Sequence, residues 1–229
     1  HMTRPLVTIG YHLMRMIQFD WAIDWRGSPS ADATSGFTQT VFNAFPRWVG
    51  TVGVTLSYGW IGHWRAAMWA GQGRAGIYRL PMIDPAIFNR ASVLTAAQMA
   101  QGNPFSTGSY FSTGSGFDPG PFIPATEAAA AGATEIRVTT ANAALVPVPG
   151  QILSADDWPM GVTYVVPEDS NVYRLGIQMP LRAAIAEGAP VRLVAMGRFE
   201  VLDDLAGRTP YGFQPSSTPS ISFREVLTR

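Results

Sequence analysis

"GQGRAG", residues 71–76, is the stretch on which the class of fold turns. It fits the G-x-G-x-x-G pattern of a dinucleotide-binding loop, where a strand leads into the glycines and the helix beyond them points its N-terminus at a pyrophosphate. Here the order is reversed. A helix-like run, Trp64 to Trp69, comes before the glycines, and the strand-like "IYRLP" (77–81) follows them. No βαβ pattern surrounds the motif. Gly71, Gly73 and Gly76 therefore read as a corner that ends a helix through positive φ and turns the chain into a strand. Arg74 becomes a candidate for a turn or subunit contact, and no nucleotide or other cofactor is expected.

Outward from the corner, period two dominates. Phe19, Trp21, Ile23 and Trp25 fall on one face of an extended segment, with Gln18, Asp20, Ala22 and Asp24 on the other. Residues 48–64 carry no formal charge and could be mistaken for a membrane span. However, Thr51, Gly53, Thr55, Ser57 and Gly59 alternate with Val52, Val54, Leu56, Tyr58 and Trp60. Strict alternation marks a half-buried strand, whereas a spanning helix needs ~20 mostly apolar residues, so no membrane insertion is expected. "GIYRLPMI" (76–83), "GRFEVLDDL" (197–205) and "SISFREVL" (220–227) are also strand-like, and only "GHWRAAMWAG" (62–71) and "RASVLTAAQMAQG" (90–102) have helix character. The expected class is mainly β: an antiparallel β-sandwich with one or two short helices.

Two segments depart from this texture. Residues 103–122 contain "FSTGS" twice, at 105–109 and 111–115, with Phe105, Tyr110, Phe111 and Phe117 as exposed-ring candidates for a partner contact. A Gly/Ser-rich loop of this length serves either as such a contact or as a linker. Residues 126–197 read as an inserted small β-barrel module, with runs at Glu135–Thr139, Gln151–Ser154, Val162–Val166, Val172–Gln178 and Pro190–Val194. Pro149-Gly150 and residues 168–171 supply turns between them. The flanking residues 1–125 and 198–229 would then close one larger sandwich domain.

Composition narrows the function. Of 229 residues 47% are apolar and 14% charged, against ~25% charged in ordinary domains; the net charge is zero and all 16 basic residues are arginine. Scattered arginines without an excess argue against sequence-specific nucleic-acid binding. The charge deficit suggests surface covered by a partner, most economically by copies of the same chain.

Catalytic groups are sparse. The absence of cysteine removes thiolate chemistry, and His12 and His63 have neither a G-x-S-x-G serine nor H-E-x-x-H spacing beside them, so no triad and no metal site is expected. Glycosidases hold two carboxyl groups ~5–9.5 Å apart. On a strand Asp20 and Asp24 are ~13 Å apart, and the doublets Asp156-Asp157 and Asp203-Asp204 read as turn residues. A pair assembled across the fold stays open, but the expectation is a protein that is not an enzyme. Trp60, Trp64 and Trp69 could stack on a sugar or anchor an interface, but the expectation is that they cover the sheet as core, leaving the aromatic loop at 105–117 as the better surface candidate.

"HWRAAMWAGQGRAGIYRLPMIDP" (63–85) resembles the segment of tail-tip proteins of long-tailed phages in which a helix leads through glycine and arginine into a strand. "GATEIRV", "VPGQILS", "VTYVV" and "GIQMPLRAAIAEGAPVRL" resemble a module such proteins often carry, and "GRFEVLDD" and "SISFREVL" resemble their last strands. The similar stretches cover roughly residues 62–84 and 126–229; the FSTGS loop departs from the pattern. The resemblance is to distal tail and minor tail-tip proteins of phages or gene-transfer particles. It implies a structural virion protein that forms a ring with itself, a hexamer, joining tail tube to hub or baseplate. It carries over no catalytic residues. The alternative is a carbohydrate-binding module that adheres to host-surface glycan.

Overall fold

The structure, a computed structural model, describes residues 3–32, 38–41, 45–213 and 215–228. The chain forms two compact units: an outer unit of residues 1–81 and 198–229, and an inserted unit of residues 82–197. The outer unit opens with β1 (Leu6–Thr8), β2 (Met16–Asp24), β3 (Ser28–Asp32), β4 (Thr38–Val41) and β5 (Arg47–Val54). Helix α1 (Tyr58–Gly71) and β6 (Ile77–Pro81) follow. The inserted unit holds α2 (Ala96–Gln101), β7 (Phe122–Pro124), β8 (Glu135–Thr139), β9 (Ile152–Ala155), β10 (Trp158–Pro167), β11 (Val172–Gln178) and β12 (Pro190–Arg192). The chain then returns through β13 (Met196–Val201) and β14 (Ser220–Glu225). The protein is mainly β and rich in antiparallel pairing, with two α-helices among the described residues.

In the outer unit six strands lie in the order β1-β6-β13-β14-β5-β2, and β3 pairs separately with β4. β1 and β6 run parallel, while β13 with β14, β14 with β5 and β5 with β2 pair antiparallel. The period-two reading is visible in β5, where Trp48, Gly50, Val52 and Val54 are buried and Thr51 is exposed. Gly50 is required by packing, since a Cβ there would meet the Trp21 ring at 2.3 Å.

The alternation that predicts a strand through Trp60 ends sooner in the structure. After Val54 only Leu56 is bridged, to Ser217, and α1 begins at Tyr58. Alternation stops deciding the backbone because Ile61, Trp64 and Gly71 are buried at helical spacing on one side of α1. The expected helix at 90–102 is also shorter. Asn89 caps a 3₁₀ turn at Arg90–Ser92, and Thr95 and Gln98 then form a reciprocal capping box that starts α2.

The sheet of the inserted unit runs β7-β12-β9-β10-β11-β8. Its core gathers Ile136, Val138, Leu153, Met160, Leu175, Val191 and Leu193, all nearly inaccessible. The strands expected at 135–139 and 172–178 have those bounds. The barrel is corrected: the sheet is open, with three-residue β7 and five-residue β8 as its edges. An isolated bridge from Ala125, just past β7, to Val138 is what joins them among the described residues. Residues 82–125, which the sequence assigned to the outer domain, belong to the inserted unit, where β7 pairs with β12.

Candidate functional site

The GQGRAG corner is built by contacts from distant parts of the outer unit. Helix α1 ends at Gly71, and the left-handed residue that closes it is Gln72 (φ 54°), followed by Gly73 (φ 61°). Gly71 and Gly76 serve close approach instead. A Cβ on Gly71 would meet the Tyr78 hydroxyl at 2.2 Å, and one on Gly76 the Gly71 carbonyl oxygen at 2.3 Å. The positive-φ role expected of all three glycines thus belongs to Gly73 alone. The Arg4 guanidinium donates to the carbonyls of Ala75 and Gly76, each at 2.9 Å, and Tyr78 donates to that of Gly73.

Arg74 makes the turn contact. Its Nε and Nη2 donate to the two oxygens of Asp204 at 3.1 and 3.0 Å, and its backbone N–H donates to Oδ1 at 3.0 Å. The Arg74 side chain and backbone bonds hold the Asp204 carboxyl below its usual range, and the same bond raises Arg74. Neighbouring Asp203 accepts the N–H of Leu205. Asp156 and Asp157 occupy positive φ between β9 and β10. Both doublets are turn residues.

The three tryptophans are separated. Trp64 is fully buried, its indole N–H donating to the Gly207 carbonyl at 2.8 Å. Trp60 lies between His12 and His63, with centroid separations of 5.3 and 5.5 Å, and Arg15 stands over its ring at 5.7 Å. Burial, then His63, then Arg15 lower the His12 pKa. Trp69 is 70% exposed, with Arg65 over its ring at 5.2 Å.

Trp69 borders a cleft of ≈ 700 Å³ between the end of α1, the corner and residues 204–210. Arg65, Gln72, Leu205, Arg208 and Thr209 also line it. Sequence reading missed Arg208, Thr209 and Leu205, because no spacing signals that a loop 130 residues beyond the corner returns to it.

In the inserted unit the FSTGS repeat is a structural repeat. Phe105 and Phe111 each accept the N–H of the glycine three residues on, at 2.8 Å, and each donates to the serine four residues on. Gly108 (φ 80°) and Gly114 (φ 79°) occupy equivalent left-handed positions. Paired bonds between Asn103 and Phe117, at 2.8 and 2.7 Å, close the base of the loop. These turns bring Phe105, Phe111 and Phe117 together edge to face, with centroids 4.8–5.2 Å apart, while Tyr110 is half-buried and outside the trio. The three rings remain partly exposed.

No group of three or more potential metal-ligating residues occurs among the described residues. No helix among them is long and apolar enough to cross a membrane. No family model matches the chain, and comparison with curated proteins finds no match.

Proposed function

We propose that the chain is a structural component of a phage-like tail, assembling with its own copies into a ring at the tail tip between tube and hub. The observation that carries this reading is the apolar surface of the outer unit. Tyr58 is 82% exposed, and Trp25, Phe45, Leu202, Tyr211 and Phe213 are also open. On a low-charge chain, open aromatic and aliphatic side chains are suited to contacts with other proteins, where aromatic residues are enriched. The nine-residue β2 ends the sheet, and a long edge strand is a template for pairing with a neighbour unless it is covered. Head-to-tail contacts between identical chains close into rings when the rotation permits.

In this reading the protein works by geometry and turns nothing over, and its place is the virion tail. The sequence resemblance supports the same assignment. The test is native mass spectrometry with negative-stain imaging at high protein concentration, alone and with neighbouring tail proteins. A closed ring is expected, and replacing Tyr58 and Phe213 by serine should dissociate it while leaving the thermal midpoint within a degree or two, because exposed side chains contribute little to folding. A monomer under every condition would sink the proposal.

A further inference from the structure

Three features coincide at the cleft beside α1. First, it holds an indole, Trp69, whose ring is largely open. Second, it holds two guanidiniums without a carboxylate among the described residues. Among the described residues Arg65, which stands over the Trp69 ring, and Arg208 have no acidic partner, whereas Arg4, Arg74 and Arg224 of the same unit are each paired with an acid. Third, Gln72 and Thr209 place an amide and a hydroxyl on the same lining. The one carboxylate there, Asp204, is already neutralised by Arg74.

We propose that this cleft binds an acidic saccharide. The C–H face of a sugar ring packs on Trp69, its carboxylate or phosphate is held by Arg65 and Arg208, and Gln72 and Thr209 meet ring hydroxyls. The volume is in the range of small-ligand sites. Arginine is suited to an anionic group because its planar fork donates two parallel bonds. An extended peptide is the poorer fit. Recognition by strand addition needs a free sheet edge, and among the described residues the one strand residue on the lining, Tyr78, belongs to β6, which is paired on both sides.

The test is calorimetric titration of the full chain with three probes: an oligogalacturonate, mannose 6-phosphate and neutral cellohexaose. Either acidic probe should bind, its identity naming the anion, and cellohexaose should not. Trp69→Ala and the double change Arg65→Ala/Arg208→Ala should each weaken binding at least about tenfold, as loss of an aromatic or arginine anchor does. Circular dichroism would show the fold retained. Failure of both acidic probes, equal binding of the neutral one, or indifference to Trp69→Ala overturns the proposal. So does self-association that the double variant abolishes, because a second copy would then occupy the cleft. The ring reading stands apart from this outcome, since Tyr58 and Phe213 are untouched.

Discussion

At the scale of single residues, the described glycines serve close packing as well as unusual backbone. Gly71 and Gly62 sit in the same helix under opposite constraints. A Cβ on Gly71 would drive into the Tyr78 hydroxyl at 2.2 Å, whereas one on Gly62 meets nothing within 4 Å. Gly71→Ala should therefore destabilise the protein by about 1–3 kcal/mol, the usual cost of overpacking. Gly62→Ala should stabilise it by about 0.5–1 kcal/mol, since alanine loses less backbone entropy in a helix. Urea denaturation of both variants measures the pair, and a similar loss in each would refute the packing account. The G-x-G-x-x-G spacing was legible in the sequence, and so was its failure as a nucleotide loop. What each glycine avoids was not legible, because Tyr78 and Asp204 are brought to it by the tertiary fold.

At the scale of elements, the 3₁₀ turn at Tyr11–Leu13 and the first turns of α1 share the Trp60 cluster. The His12 pKa is lowered in the folded state, so the unfolded chain binds more protons as pH falls through the ordinary histidine range. The stability tied to neutral His12 is thus present above about pH 6.5 and lost as pH drops through the lowered value. Protonation would set an imidazolium beside Arg15 and His63. The thermal midpoint should fall between pH 7.5 and 5, and His12→Gln should flatten part of that fall; an unchanged slope would remove the cluster as its source. Elements bounded by strong turns were readable in advance, as β8 and β11 show. The start of α1 was not, because Ser57-Tyr58-Gly59-Trp60 continues the alternation of β5 while Ile61 and Trp64 already obey the helix period. The Phe105–Phe111–Phe117 trio was half legible: the repeat was visible, but its folding into two equivalent turns was not.

At the scale of the whole molecule, the sequence showed that one module interrupts another, and the structure moves the entry point. Residue 126 looked like the start of a new texture because the preceding stretch is Gly-, Ser- and Phe-rich, with β7 only three residues long. Pairing with β12 places that stretch in the inserted unit. The insert thus leaves the outer sheet after β6 and returns at β13, strands that are neighbours there. Its two ends are themselves joined, the Met82 N–H donating to the Ala195 carbonyl at 2.8 Å.

Such paired ends make the inserted unit exchangeable cargo. A domain whose entry and exit lie side by side can be grafted into a host without stretching the host's chain, which is why insertions succeed where termini are close. Replacing residues 83–194 by a short Gly-Ser linker should leave a folded outer sheet, visible as a cooperative melt and dispersed amide resonances. A molten product would show that the two units fold only as one. If the graft succeeds, lineages of this protein could trade one insert for another while the outer unit, and every contact it makes, stays the same.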